Sequence, residues 1–117
     1  MLIVGLTGSI ATGKSTVSVM LSRLNFRVYD SDKAAHQLMG PRGRAVEQIV
    51  SRFGSEVGSV SSGINRALLG NMVFVDPKRR FLLEEILHPL IDEKKQRFIQ
   101  QNRNQRRKVV FLDVPLL

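Results

Sequence analysis

The residues with the clearest chemical potential form a glycine-rich run near the amino end of the chain. Residues 8–16 match the pattern G-x-x-x-x-G-K-S directly after an apolar stretch. In such a run, backbone N–H groups wrap a phosphate chain, Lys14 reaches the β and γ phosphates, and Ser15 ligates Mg²⁺. The run therefore predicts a site for a nucleoside triphosphate. The residues expected to bind it are Gly8, Ser9, Ile10, Ala11, Thr12, Gly13, Lys14, Ser15 and Thr16.

A second candidate is Asp113, which follows the apolar run Val109 to Leu112. Four apolar residues followed by an aspartate have the form of a Walker B strand, whose carboxylate holds Mg²⁺ or its waters beside the phosphate loop. An aspartate after a strand is also a common turn signal, so this pattern alone is weak evidence. Because the phosphate loop is present as well, we interpret Asp113 as a metal ligand.

A third candidate is the segment Asp30-Ser31-Asp32, which follows the second predicted strand. Since the carboxyl ends of parallel strands line one crevice, these carboxylates should face the same site as Lys14 and Asp113. A carboxylate there could accept a proton from a hydroxyl group that attacks the γ phosphate. From its position, we also expect Asp32 to cap the helix that follows.

The elements that must position these residues begin as a β-α-β unit. The sequence predicts strands over residues 2–6 and 27–29, with a helix over residues 13–24 between them. The helix has apolar residues at helical spacing. A last strand precedes Asp113. The pattern predicts an α/β fold with a parallel sheet.

The middle of the chain is predicted to be helical. Helical segments start after Asp32, around Val46, after Asn65 and at Asp76-Pro77, and residues 54–63 read as a loop. His88-Pro89 should break one helix and open another, because proline lacks the N–H that a helix interior needs.

Composition narrows the class of protein. The net charge is +8, which suits polyanionic partners such as nucleotides, phosphorylated metabolites or nucleic acid. The chain has no cysteine, so disulfides and thiolate metal sites are excluded. It shows no signal sequence and no apolar run long enough to span a membrane, so we expect a cytoplasmic protein without a membrane segment.

Taken together, the motifs resemble the dephospho-CoA kinase family along the whole chain. The segments that carry the resemblance are the phosphate loop, residues 28–32, 52–54, 65–70 and 86–91, and the run Leu112-Asp113-Val114-Pro115-Leu116-Leu117. The resemblance implies transfer of the γ-phosphoryl group of ATP, with Mg²⁺, to the ribose 3′-hydroxyl of dephospho-CoA. It also implies that Asp32 is the base and that Arg66 and His88 lie near the acceptor.

The resemblance implies a P-loop NTPase fold, a three-layer α/β arrangement with a single kinase domain over residues 1–117. A helical substrate-binding cap would occupy residues 33–105. Family members continue beyond the last strand with an arginine-bearing lid, so the domain is expected to be incomplete and the chain alone inactive. The implied strand order places residues 109–113 between 27–29 and 2–6. Strand 2–6 would then be an exposed edge through which chains associate.

Two alternatives stay open at this point. Another P-loop kinase, acting on a different small metabolite or on a nucleoside monophosphate, would share the loop and differ in the cap. A P-loop protein that binds nucleic acid is compatible with the +8 charge. The sequence lacks the interleaved aromatic and basic residues that stack bases, so no nucleic acid partner is expected.

Overall fold

Strands and helices alternate at both ends of the chain, and helices dominate its middle. The computed structural model describes residues 1–6 and 14–113, and for residues 14–16 it describes the backbone alone. The strands are β1 (Leu2–Leu6), β2 (Arg27–Asp30), β3 (Gly58–Ser59), β4 (Gly63–Ile64) and β5 (Val109–Asp113). The helices are α1 (Lys14–Arg23), α2 (Ser31–Met39), α3 (Val46–Phe53), α4 (Arg66–Val75) and α5 (Pro77–Asn104).

The main sheet has three strands in the order β1-β5-β2, and both pairings are parallel. Strand β5 is central because its uninterrupted apolar run suits burial on both faces. Val110, in this strand, is fully buried. The predicted α/β class, the parallel sheet and the strand order are confirmed.

The chain divides into two compact units. The first, called here the sheet unit, consists of Met1–Lys33 and Lys94–Leu117. The second, called the helical unit, is Ala34–Glu93. No helix among the described residues is long and apolar enough to cross a membrane.

The helical unit has its own apolar core. Apolar side chains from α2 to α5 form one buried cluster, in which Ile49 and Val57 are completely enclosed. The other buried members are Leu38, Met39, Ala45, Phe53, Leu69, Ile86 and Leu87. Burial of a large aliphatic side chain stabilises a fold by about 1.5–3 kcal/mol, so this cluster is the main source of the unit's stability.

The predicted cap of helix α2 was wrong by two residues. The helix begins at Ser31, and Asp30 Oδ1 accepts the backbone N–H groups of Asp32 and Lys33 at 3.0 and 3.1 Å. Asp32 therefore lies within the first turn and does not cap it. The reason is that β2 extends through Asp30, which pairs with Asp113, so the chain enters the helix with no intervening residue.

The predicted helix break at His88-Pro89 was also wrong. Helix α5 continues through Pro89 over 28 residues. Proline removes one backbone hydrogen bond at a cost of about 3 kcal/mol. Apolar residues on both sides offset this cost, because Ile86 and Leu87 belong to the buried cluster and Leu90 and Ile91 pack against it.

The segment predicted as a loop over residues 54–63 contains regular structure. A short 3₁₀ turn, Ser55–Val57, leads into strand β3, which pairs with β4 in an antiparallel hairpin. Gly63 has a φ of 80°, and an added Cβ would lie 2.7 Å from the backbone of Gly40 and Pro41. Only glycine fits this close approach, which fixes the end of the hairpin.

The other predicted helix ends are confirmed. Asn65 caps α4 by accepting the N–H of Leu68 at 3.2 Å. Pro77 is the first residue of α5, and Asp76 Oδ1 accepts the N–H of Lys78 at 3.0 Å. Gly54 ends α3 with a φ of 104°. Short polar side chains and glycine were reliable signals here because they act on their own backbone neighbours.

Candidate active site

The candidate site is built at the carboxyl ends of the three parallel strands. The register places Leu6, Asp113 and Asp30 in one row across the sheet. Leu6 is the residue from which the chain leaves β1 toward the predicted phosphate loop. Two of the aspartates predicted from sequence, Asp30 and Asp113, are thus neighbours at one edge of the sheet, as expected for an open parallel sheet.

Asp113 is held by two hydroxyl groups from distant parts of the chain. Its side chain is buried, and Ser18 Oγ, on α1, donates a hydrogen bond to Oδ2 at 2.9 Å. Ser31 Oγ donates to the backbone oxygen of Asp113 at 3.0 Å. These bonds fix both the carboxylate and the end of β5 against the start of two helices.

Ser18 and Ser31 were not identified as functional residues from sequence. The only local signal was position: Ser18 lies one turn after Lys14, and Ser31 separates the two aspartates that follow β2. Their partner is 95 and 82 residues away, respectively. Sequence spacing gives no indication of such a pairing.

The aspartates of the Asp30-Ser31-Asp32 segment have different environments. Asp30 Oδ1 already accepts two backbone N–H groups at the start of α2. Asp32 is exposed in the first helical turn. No hydrogen bond or ion pair engages its side chain within the described part of the chain. A carboxylate without such a partner is available to accept a proton or to orient a hydroxyl group.

The predicted nucleotide-binding residues are described only in part. Helix α1 begins at Lys14, so the backbone of Lys14, Ser15 and Thr16 forms its first turn. A helix start of this kind carries unsatisfied N–H groups and favours anions. Residues 8–13 lie outside the described residues, and the roles of the side chains at 14–16 stay predictions.

The predicted acceptor-binding residues belong to the helical unit. Arg66 is the first residue of α4, and His88 lies inside α5; both are exposed. The aspartates of the candidate site belong to the sheet unit. The roles of Arg66 and His88, and of residues 33–105 as a substrate cap, stay predictions.

The donor atoms at the site fit a magnesium ion that is shared with phosphate. Over residues 1–6 and 14–113, no group of three or more His, Cys, Asp or Glu residues could hold a metal ion. Mg²⁺ is usually bound by one or two carboxylates, with waters and substrate phosphates completing its shell. One oriented carboxylate, that of Asp113, is consistent with this type of site.

Comparison with known proteins adds independent information. The family model described as dephospho-CoA kinase matches residues 2–117. A dephospho-CoA kinase of Rhodospirillum rubrum is 47% identical over 116 residues, which are 99% of this chain and 54% of that protein. The dephospho-CoA kinase of Symbiobacterium thermophilum is 46% identical over 117 residues, which are 100% of this chain and 49% of that protein.

Solved structures agree with the sequence comparison. A dephospho-CoA kinase from Campylobacter jejuni superposes with a TM-score of 0.72 at 30% identity. The match covers 97% of this chain and 56% of that structure. The chain thus spans about half the length of the relatives and the structure that it matches.

Proposed function

The chain belongs to the dephospho-CoA kinase family, and from this premise we propose that the protein carrying it phosphorylates dephospho-CoA. The reaction transfers the γ-phosphoryl group of ATP to the ribose 3′-hydroxyl and gives CoA and ADP. The observation that best supports it is the row of strand ends that holds Asp30 and Asp113 beside the start of α1.

The nucleotide half of the site consists of the phosphate loop and α1. In this proposal, the amides of residues 8–16 cradle the phosphate chain, and Lys14 neutralises charge on the β and γ phosphates. The register supports it, because β1 ends next to Asp113 and α1 begins at Lys14. Lys14 acts in both the bound and the transition state, so it contributes to ATP affinity and to turnover.

Magnesium is assigned to Asp113 and Ser15. Mg²⁺, when bound, would offset the negative charge of the phosphate groups. Asp113 is suited to this because it is buried and Ser18 fixes one of its oxygens. A carboxylate that is already oriented needs no rearrangement when the metal and the nucleotide arrive together.

The acceptor half of the site depends on Asp32. Of the two aspartates after β2, Asp30 is engaged by backbone N–H groups and Asp32 is not. Asp32 therefore accepts the proton of the 3′-hydroxyl group as its oxygen bonds to the γ phosphorus and ADP leaves. Arg66 and His88 are proposed to contact the acceptor. A cytoplasmic location stays a prediction.

An acceptor panel tests this proposal. The protein carrying this sequence is incubated with ATP and Mg²⁺, and ADP formation is measured with dephospho-CoA, AMP or CoA as the acceptor. We expect ADP only with dephospho-CoA, because CoA differs from it by the phosphate that blocks the 3′ oxygen. Faster turnover with AMP would instead support a nucleoside monophosphate kinase, and equal turnover with CoA would rule out the 3′-hydroxyl as the target.

A further inference from the structure

A cleft with a strongly basic lining lies at the edge of the sheet opposite the candidate site. Its volume is about 590 Å³, within the usual range for small-molecule sites, and Arg27 and Arg107 both line it. A smaller cavity of about 200 Å³ shares these two arginines and adds Lys108. All of these residues belong to the sheet unit.

Two matching helix ends form the cleft. Helix α1 is followed by Asn25 with a φ of 65°, and α5 is followed by Arg106 with a φ of 58°. In each case, the next N–H closes back on the helix five residues earlier: Phe26 to the oxygen of Leu21, and Arg107 to that of Asn102, both at 3.0 Å. This is the Schellman arrangement.

The paired helix ends bring cationic side chains together. Each is followed within three residues by a strand, and the two strands are neighbours, with Arg27 opposite Val110 in the register. Arg27 and Arg107 therefore lie on the same cleft although they are 80 residues apart in the chain. The backbone path, through the two helix ends and the strand register, brings these two arginines close together.

The sheet unit has no acidic residue at this edge. The chain has no Asp or Glu before Asp30 and none between Glu93 and Asp113. The three acidic residues of the sheet unit lie at the opposite ends of the strands or in the turn that follows. Neither Arg27 nor Arg107 has an ion-pair partner among the described residues, and Arg107 is half-buried.

The favourable interaction of cations with helix carboxyl ends explains only part of this concentration of basic residues. The carboxyl end of a helix favours a cation by about 0.3–1 kcal/mol, which stabilises one basic side chain and leaves its charge in place. Guanidinium groups without a carboxylate partner match phosphate oxygens, to which they donate two parallel hydrogen bonds.

We propose that this cleft binds the phosphate groups of a small molecule that carries a diphosphate. The two guanidinium groups contact the anion, and Ser22 and Asn25 supply neutral polar groups beside it. The apolar wall includes Phe26 and Phe98, whose rings already pack on Phe111 and Tyr29 at centroid distances of 5.5 and 5.6 Å. Phe26 is 39% exposed and Phe98 is half-buried, so the cleft offers one exposed ring and not the series of rings on which successive bases stack. This favours a compact anion over single-stranded nucleic acid.

The test measures binding of inorganic pyrophosphate by calorimetry in a Lys14→Ala background, which weakens the phosphate loop as a competing site. We expect Arg27→Gln with Arg107→Gln to lower the affinity by about tenfold or more, the loss of at least 1.4 kcal/mol. The matched control is Arg103→Gln, in the same basic run but not lining the cleft, which should change affinity by less than about twofold.

A second pair of variants keeps the test valid if the double variant folds poorly. Arg27→Lys with Arg107→Lys retains the charge and loses the bidentate geometry, so it should still weaken pyrophosphate binding. ADP, titrated in the same background, shows whether a nucleotide diphosphate binds as inorganic pyrophosphate does. In the protein that retains Lys14, Arg27→Gln with Arg107→Gln should leave turnover with dephospho-CoA unchanged. This result would distinguish binding at the cleft from the proposed kinase activity.

Two results would overturn the proposal. Equal losses in Arg103→Gln and the double glutamine variant would mean that diffuse surface charge attracts the anion. A single-stranded oligonucleotide that binds more tightly than pyrophosphate and displaces it would identify the surface as a nucleic acid interface.

Discussion

The two units differ in where their charge and their apolar residues are placed. The helical unit has seven basic and seven acidic residues, whereas the sheet unit has eleven basic and three acidic ones. The whole net charge of +8 therefore belongs to the sheet unit. The buried apolar cluster belongs to the helical unit, and exposed apolar side chains occur in both units: Leu2 and Leu24 in the sheet unit, Phe74 and Phe81 in the helical unit.

This difference indicates a division of roles. The sheet unit presents aspartates at one end of its strands and unneutralised cations at the other, an arrangement that serves anionic ligands better than stability. The helical unit has equal numbers of basic and acidic residues and contains the buried apolar cluster, although Phe74, Val75 and Phe81 are exposed. Substitutions that affect chemistry should therefore cluster in the sheet unit, and those that affect folding in the helical unit.

The largest expected effect is that of Lys14→Ala, in the sheet unit. Loss of the charge at the phosphates should lower kcat/KM by about 10³-fold and weaken ATP binding, with the free energy of unfolding unchanged. Steady-state kinetics and an ATP titration measure this. Arg23→Ala, at the other end of α1, is the control. Unchanged ATP affinity in Lys14→Ala would mean that residues 8–16 are not a nucleotide site.

Ile49→Ala, in the helical unit, is expected to lower stability and leave turnover unchanged. Ile49 is fully enclosed, so the cavity should lower the free energy of unfolding by about 3 kcal/mol. Turnover per folded molecule should stay unchanged. Urea denaturation gives the stability, and the exposed neighbour Gln48→Ala serves as the control. A loss below about 0.5 kcal/mol, which is the size of a surface effect, would contradict the assignment of the core.

A smaller effect on the free energy of unfolding should distinguish Asp30 from Asp32, the two aspartates after β2. Asp30→Ala should lower the free energy of unfolding by about 1 kcal/mol, because two N–H groups at the start of α2 lose their acceptor. Asp30→Asn should restore most of the loss, since asparagine also caps. If Asp32→Ala destabilises the protein as much as Asp30→Ala does, the cap has been misassigned.

The smallest effect is expected at Asn65. Asn65→Asp should change the free energy of unfolding by less than about 0.5 kcal/mol, since both side chains accept the N–H of Leu68. Asn65→Ala provides the comparison and should cost about 1 kcal/mol. Equal stability of the aspartate and alanine variants in thermal unfolding would show that the side-chain bond contributes nothing.

Much of the fold followed from local signals. The strand order and the caps at Asn65 and Asp76 were predictable, because apolar runs, short polar residues and proline act on nearby backbone. Pro89 and Asp30 show the limit of this reasoning. Burial of Ile86 and Ile91 against a tertiary core outweighs the lost hydrogen bond of Pro89, and pairing of β2 with β5 moves the helix start to Ser31.

The residue types of the candidate site were predictable from sequence, but their hydrogen-bond partners were not. Asp32 and Asp113 were identified because their positions after strands have a chemical meaning. The bonds from Ser18 and Ser31 to Asp113 exist only once the sheet and the two helices have come together. Sequence alone could not distinguish these serines from the many that cap helices or face solvent.

The most direct test of the account is Asp32→Asn in the protein carrying this sequence. We expect turnover with dephospho-CoA to fall by about 10²- to 10⁴-fold, since the amide cannot accept the hydroxyl proton. ATP affinity and the free energy of unfolding should be unchanged, because Asp32 is exposed and caps nothing. Near-normal turnover in this variant would contradict the role of Asp32 and, with it, the assignment of the chemistry to this end of the sheet unit.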